Sequence, residues 1–305
     1  MRRLPFHHLA AALAVTGIFA APARSEEDCN DIARGYALAK AEITSIERNT
    51  ALFRAADAGC EALARTLLDD GAALAARDRV GAMPLQHAAR EGRLKLVELF
   101  LQHGAAVDAR DLSGSTALFA AAEREKPATV ALLLGHGADP NIAGRSGVSP
   151  LAAAAFKGND RIVEMLLGRG ADPNARDDTG KAAMVYAAAR GFDGIAQRLL
   201  DAGVDPVQRY GNDTTALMWA AGHDEGVGAA AATRVIDLLL GRGAALDDAD
   251  NRGRTALMTV AAAGDAAVVA HLLERGADRA LKDQDGKTAL DLAADDAVRA
   301  KFSAR

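Results

Sequence analysis

The side chains that could do chemistry in this chain are few and scattered. His87, His223 and His271 stand far apart, with no nucleophile or ligand set grouped around any of them. The hydrolase signature Gly-x-Ser-x-Gly and the zinc signature His-Glu-x-x-His do not occur. Gly286-Lys287-Thr288 resembles the end of a phosphate loop, but the glycine needed at position 281 is Leu281. Asp248, Asp250 and Gly253 resemble a calcium loop, yet its fifth position is Arg252 and its twelfth is Thr259, so the bidentate carboxylate is missing. Asn212-Asp213-Thr214 fits a glycosylation sequon by three residues alone. No catalytic residue, cofactor or metal site is expected, and the chain reads as a non-enzyme.

The two cysteines, Cys29 and Cys60, carry the remaining chemistry. In an oxidising compartment they would pair and staple the N-terminal helix to the segment around Cys60. The alternative is two buried, inert thiols. The compartment is suggested by the N-terminus. Arg2 and Arg3 precede the twelve-residue apolar stretch Leu9–Ala20, and Ala21–Ser25 offers small residues for cleavage after Ala23 or Ser25. That order is the plan of a secretory signal peptide, placed at 1–25, and implies a periplasmic or secreted protein. The apolar stretch falls short of the roughly 20 residues that span a bilayer. Cleavage after Ser25 removes three arginines and leaves 33 basic against 41 acidic side chains, a net charge of −8. Such a chain disfavours nucleic acid and anionic membrane surfaces as partners.

What positions these residues is a ruler of near-constant length. Ten-residue starts such as Thr116–Glu125 (TALFAAAERE) recur at 50, 83, 116, 149, 182, 215, 255 and 288, every step being 33 except one of 40. Glycines 71, 104, 137, 170, 203, 243 and 276 keep the same register, as do the apolar pairs before them, from Leu67-Leu68 to Leu272-Leu273. Each unit reads as two short helices, the first with paired small residues and the second with the apolar pair. The glycine stands where a helix end needs a left-handed residue. His103 and His136 precede that glycine and read as caps on the helix dipole, not as metal ligands. One unit cannot bury its apolar face alone, so the units must stack. Segment 26–49, with Ile32, Tyr36, Ile43 and Ile46 near helical spacing, reads as an N-terminal capping helix. The array runs over 50–305.

These starts, leucine pairs, Gly-Ala turns and the Asp-Pro-Asn runs at Asp139 and Asp172 resemble the ankyrin-repeat family. The resemblance implies an all-α solenoid of helix-turn-helix units joined by short inter-repeat β-hairpin loops. The family's usual histidine after the leucine is absent: that slot holds Phe53, Gln86, Phe119, Ala152, Val185, Met218, Met258 and Asp291. The resemblance further implies a protein partner, bound on the hairpin tips and on the concave face of the first helices. The concave slot four residues after each start holds His87, Tyr186 and Trp219 among others, and Phe156 lies seven after its own start. Tyr210 sits in the hairpin between Tyr186 and Trp219. Aromatic side chains dominate binding hot spots, so Phe156, Tyr186, Tyr210 and Trp219, with His87 and the tip residue Arg145, are the candidate partner-binding residues. The other reading is that the aromatics pack on one another. The recurrent Arg77-Asp78, Arg110-Asp111, Arg176-Asp177 and Lys282-Asp283 pairs read as a ladder serving solubility.

The chain is thus expected to be a monomeric protein-binding scaffold. The alternative is an inhibitor or stabiliser of one exported enzyme. The seven-residue lengthening of the sixth unit, near 222–230, reads as a glycine-flanked loop before an early-starting second helix. It is expected to be a tolerated surface extension, with Asp224 and Glu225 as secondary contacts.

Overall fold

A computed structural model describes residues 29–303 apart from Glu225, so the expected leader and Glu225 lie outside the described residues. Among the described residues the chain forms seventeen α-helices, and an isolated antiparallel bridge joins Arg209 to Thr215. Eight consecutive helix pairs follow a first helix, Cys29–Ala39. Successive inner helices pack against one another, and in the first seven pairs an outer helix backs the inner one. Paired small residues make this close stacking possible. Ala55-Ala56, Ala88-Ala89, Ala121-Ala122, Ala154-Ala155, Ala187-Ala188 and Ala220-Ala221 are all buried. The outer helices close the core with Leu67, Phe100, Leu133, Leu166, Leu199, Leu239 and Leu272, each at 0% exposure.

The recurring threonine or serine is an N-cap. Thr116, Ser149, Thr215, Thr255 and Thr288 accept, through the side-chain oxygen, the backbone N–H three residues on. All seven turn glycines adopt the left-handed conformation, with φ between 81° and 95°. His103 caps its helix directly, its Nδ1 lying 2.8 Å from the Leu99 carbonyl oxygen. A second glycine slot ends the inner helices at Gly59, Gly92, Gly158, Gly191 and Gly264, all left-handed. In the third unit Glu125 fills that slot at φ 55°.

The N-terminal segment differs from a single capping helix. The first helix stops at Ala39, and the chain restarts at Ser45 behind a capping box. There Thr44 N–H donates to Glu47 Oε2 at 2.8 Å, and Glu47 N–H donates to Thr44 Oγ1 at 3.2 Å. The inner helix of the first unit is therefore Ser45–Ala58, with Thr50 inside it. Ile32 and Tyr36 are buried, but Ile46 is exposed because it belongs to this second helix. The first helix docks through Tyr36, whose hydroxyl donates to Asp70 Oδ2 at 2.7 Å, and through Lys40, 2.6 Å from the same oxygen. Cys29 and Cys60 are joined in a disulfide across 31 positions of sequence.

The Arg-Asp ladder is structural. The carboxylates of Asp78, Asp111, Asp177, Asp250 and Asp283 each accept two backbone N–H groups inside their own turn. Arg77, Arg176 and Arg209 reach the next tip and donate to the carbonyl oxygens of Arg110, Arg209 and Ala249 at 2.6–2.7 Å. Neighbouring tips are also joined by backbone bonds such as Leu112 N–H to Val80 O at 3.0 Å.

The disulfide and the strained Glu125 each have a measurable effect on stability. Closing a loop of this length confers roughly 3–4 kcal/mol in the chain-entropy account. Cys29→Ser/Cys60→Ser should lower the urea resistance of the first unit by that order, with hydrogen exchange rising over 29–69 and little change beyond the third unit. Glu125→Gly should raise stability by about 0.5–1 kcal/mol by relieving a left-handed non-glycine residue, measured as a higher urea midpoint at unchanged slope.

Candidate functional site

The concave face changes character along its length. Beside Ala120 and the buried Ala153 it is hollow, because the slot carries a methyl group. A recess of about 160 Å³ opens there, lined by Val80, Gln86, Phe119, Glu123, Arg124 and Arg145 among others. Towards the C-terminus Tyr186 and Trp219 occupy the same slot.

Tyr186 is 1% exposed, and its hydroxyl donates to Asp177 Oδ2. Burial, then the Asp177 hydrogen bond and charge, pushes the phenol well above its ordinary value. The same carboxylate holds the tip turn by accepting from Thr179 and Lys181 N–H, so Tyr186 ties the inner helix to its finger. His87 repeats the arrangement three units earlier. It is buried, with Nε2 3.1 Å from Asp78 Oδ2 and Nδ1 2.9 Å from Asp57 Oδ1. Tyr210 occupies the slot that is aspartate in most other tips. It is 3% exposed, its hydroxyl oxygen has no hydrogen-bond partner among the described residues, and Arg176 stands 5.6 Å from its ring centre. These three candidates are walls of the groove and not surface that a partner could cover.

Phe156 and Trp219 are the accessible pair, each packed against the core yet partly open. Phe156 meets Tyr186 edge-on at 5.8 Å, and the Arg190 guanidinium lies 4.5 Å from its ring centre. Trp219 Nε1 donates to Thr214 Oγ1 at 2.8 Å, with Lys181 Nζ 5.4 Å from its ring. Cations over aromatic faces are held electrostatically, worth about 0.5–1 kcal/mol where exposed. Burial lowers the Lys181 ammonium from its usual value, against the pull of Asp177 and Asp224. Arg145 contacts the Glu123 carboxylate at the hollow end of the groove.

The insertion closes the far side. The loop Gly222–Gly228 precedes an outer helix that begins early, Ala229–Gly241, as the helix-forming run of alanines predicts. It is anchored on both neighbours. Asp224 N–H donates to Ala189 O at 2.8 Å, and His223 Nε2 lies 3.1 Å from Asp265 Oδ2. A Cβ on Gly191 would stand 2.8 Å from the Ala231 methyl and 3.0 Å from Val227 Cγ1. Burial raises the Asp224 carboxyl above its ordinary value, opposed by Arg190, His223 and Lys181. The loop is therefore a strut across three units, a firmer role than a tolerated extension.

Sequence reasoning passed over Lys181 and Arg190. Both sit at slots adjoining the aromatic residues, and their unit positions were the only signal. Among the described residues no group of three or more His, Cys, Asp or Glu side chains is placed to hold a metal ion, and no helix is long and apolar enough to cross a membrane.

Family models described as ankyrin repeats match residues 23–111, 85–177 and 151–229, and a further one matches 238–293. The chain belongs to the ankyrin-repeat family, whose arrays are generally protein–protein interaction modules and typically non-enzymatic scaffolds. No curated protein matches the chain. The short unmatched stretch between the last two matches directly follows the insertion.

Tyr186→Phe leaves a buried carboxylate oxygen short of a donor and should cost about 1–3 kcal/mol. The folded phenol keeps its proton above the ordinary value of 10.0, whereas the unfolded chain releases it there. Wild-type stability should thus fall as pH rises past that value, and Tyr186→Phe should flatten this alkaline slope in denaturant titrations.

Proposed function

We propose that this protein is an exported, non-enzymatic scaffold that acts as a single chain and binds a protein partner in its concave groove. The observation that carries the reading is two part-open aromatic rings two units apart, Phe156 held by Tyr186 and Arg190, and Trp219 held by Thr214 and Lys181. Rigid, partly open aromatic rings supply contact area at little ordering cost. Arg145 and the tip residues Asp111 and Ser113 flank the recess, while the buried Tyr210 and His87 brace the units from within. Export is supported by the leader-like first 25 residues and by the Cys29–Cys60 disulfide, a bond that persists in oxidising compartments.

The test compares immobilised mature chain with Trp219→Ala on the envelope fraction of the source cell. Trp219 is not fully buried, so the variant should keep its fold and melting transition. The wild type should retain a discrete partner that Trp219→Ala loses, with affinity reduced at least about tenfold. Equal retention by a folded Trp219→Ala chain rejects the groove as the site. N-terminal sequencing should find the exported chain beginning at Arg24 or Glu26.

A further inference from the structure

Eight residues after each unit start, the slot at the end of the inner helix reads Ala58, Glu91, Arg124, Lys157, Arg190, His223, Ala263 and Asp296. A cation there suits the negative end of a helix dipole. Capping does not explain the pattern, since two of the units carry an acid and two an alanine. What remains is three strong cations in three consecutive central units of a chain whose net charge is negative.

The structure joins them into one rim. Arg124 and Lys157 line a single recess of about 280 Å³, together with Lys126. Phe156 then connects Lys157 to Arg190: their charged groups lie 6.0 and 4.5 Å from its ring centre. Arg124 and Lys157 are exposed and form no ion pair among the described residues. Arg190 has one partner, Asp224, at 3.7 Å. Glu91, Glu123 and Glu125 line the same recess; Glu91 pairs with Arg90 and Glu123 with Arg145, and the cations Arg90, Arg124, Lys126 and Lys157 outnumber the three acids.

The spacing selects a conformation. Packed helices lie roughly 8–10 Å apart, so successive cations stand about that far from each other. A polyproline II chain turns once in three residues and rises about 3.1 Å per residue, which returns the same face every 9 Å or so. The recesses beside Arg124, of about 160 and 280 Å³, take single side chains. Aromatic rings along a groove are the usual seat for polyproline II segments, and Phe156, between Lys157 and Arg190, supplies one.

We infer that the groove reads an acidic, proline-containing partner segment in polyproline II conformation, with carboxylates at every third residue pairing with Arg124, Lys157 and Arg190. This deepens the scaffold reading and rests on it. The net negative charge of the whole chain opposes a long polyanion and favours a short acidic segment.

The probe is a fluorescein-labelled Glu-Pro-Pro repeat peptide, measured by anisotropy against the full mature chain. Controls are a peptide of the same composition with its glutamates contiguous, a Lys-Pro-Pro repeat, and single-stranded DNA of equal charge. The wild type should bind the Glu-Pro-Pro repeat about tenfold more tightly than either peptide control or the DNA. Binding should be lost at about 0.5 M salt. Arg124→Gln/Lys157→Gln/Arg190→Gln should weaken it about tenfold or more. Arg124→Glu/Lys157→Glu/Arg190→Glu should gain affinity for the Lys-Pro-Pro repeat, a positive readout that an unfolded chain does not give. Indifference to glutamate spacing, or equal binding by the Gln variant, overturns the inference, and so does DNA binding as tight as the peptide. If the Glu-Pro-Pro repeat fails while the Trp219-dependent partner is still captured, the acidic segment falls and the scaffold stands.

Discussion

Everything in this fold depends on the contact between one inner helix and the next. The paired small residues let these helices approach closely, and that approach buries the leucines behind them. No unit encloses a core of its own. Its apolar face is completed by its neighbours, as the buried inner-helix slot from Ala55 through Ala88, Ala121, Ala154, Ala187 and Ala220 to Val260 records. Stability therefore accumulates along the array through interfaces, and the two ends need separate solutions. At the N-terminus the solution is a short helix held by Tyr36, Lys40 and a disulfide. At the C-terminus it is the abbreviated inner helix Ala289–Leu292 with its partner Asp296–Ser303.

Because stacking is settled by the inner faces, slots on the concave side and the tips are free to differ. The tips show how such freedom is used. Five of them are held by an aspartate that caps its own turn, and arginines lace neighbouring tips together. Where the aspartate is missing, something else occupies its place. At Gly144 the ring of Phe119 lies where a side chain would be, the imagined Cβ standing 2.6 Å from it. At Tyr210 a buried phenol replaces the carboxylate and Asp213 adopts the left-handed conformation that is glycine in the other tips. Of the two, the Gly144 tip borders the recess, which Phe119 lines.

Periodic features were legible in the sequence because period is what stacking enforces. The turn glycines, leucine pairs and small-residue pairs each recur at a fixed step, and their conformations follow from backbone sterics. What escaped was set by side-chain direction and by the sharing of partners. Tyr186 and Trp219 occupy the same slot, yet one is buried because Asp177 draws its hydroxyl inward, while Tyr210 removes the equivalent carboxylate from Trp219 and leaves the indole to Thr214. The arginines of the tips looked like surface charge because their acceptors are backbone carbonyls a full unit away. Thr50 matched the start pattern, but Thr44 with Glu47 offered a stronger cap six residues earlier.

The lengthened sixth unit shows how an irregularity can serve a regular array. An extra loop on a solenoid is free to hang in solvent, since long surface loops cost little entropy. This one does not. Asp224 and His223 fasten it to the units on either side, and Val227 with Ala231 packs over Gly191, a position where any side chain would block the approach. The strut thus braces the three units that carry Tyr186 and Trp219 against sliding or opening. It also half-buries a carboxyl next to Arg190, which tempers that cation without neutralising it at 3.7 Å. A groove whose aromatic end is rigid and whose hollow end is open can hold a ligand by its apolar residues at one end and sort it by charge at the other.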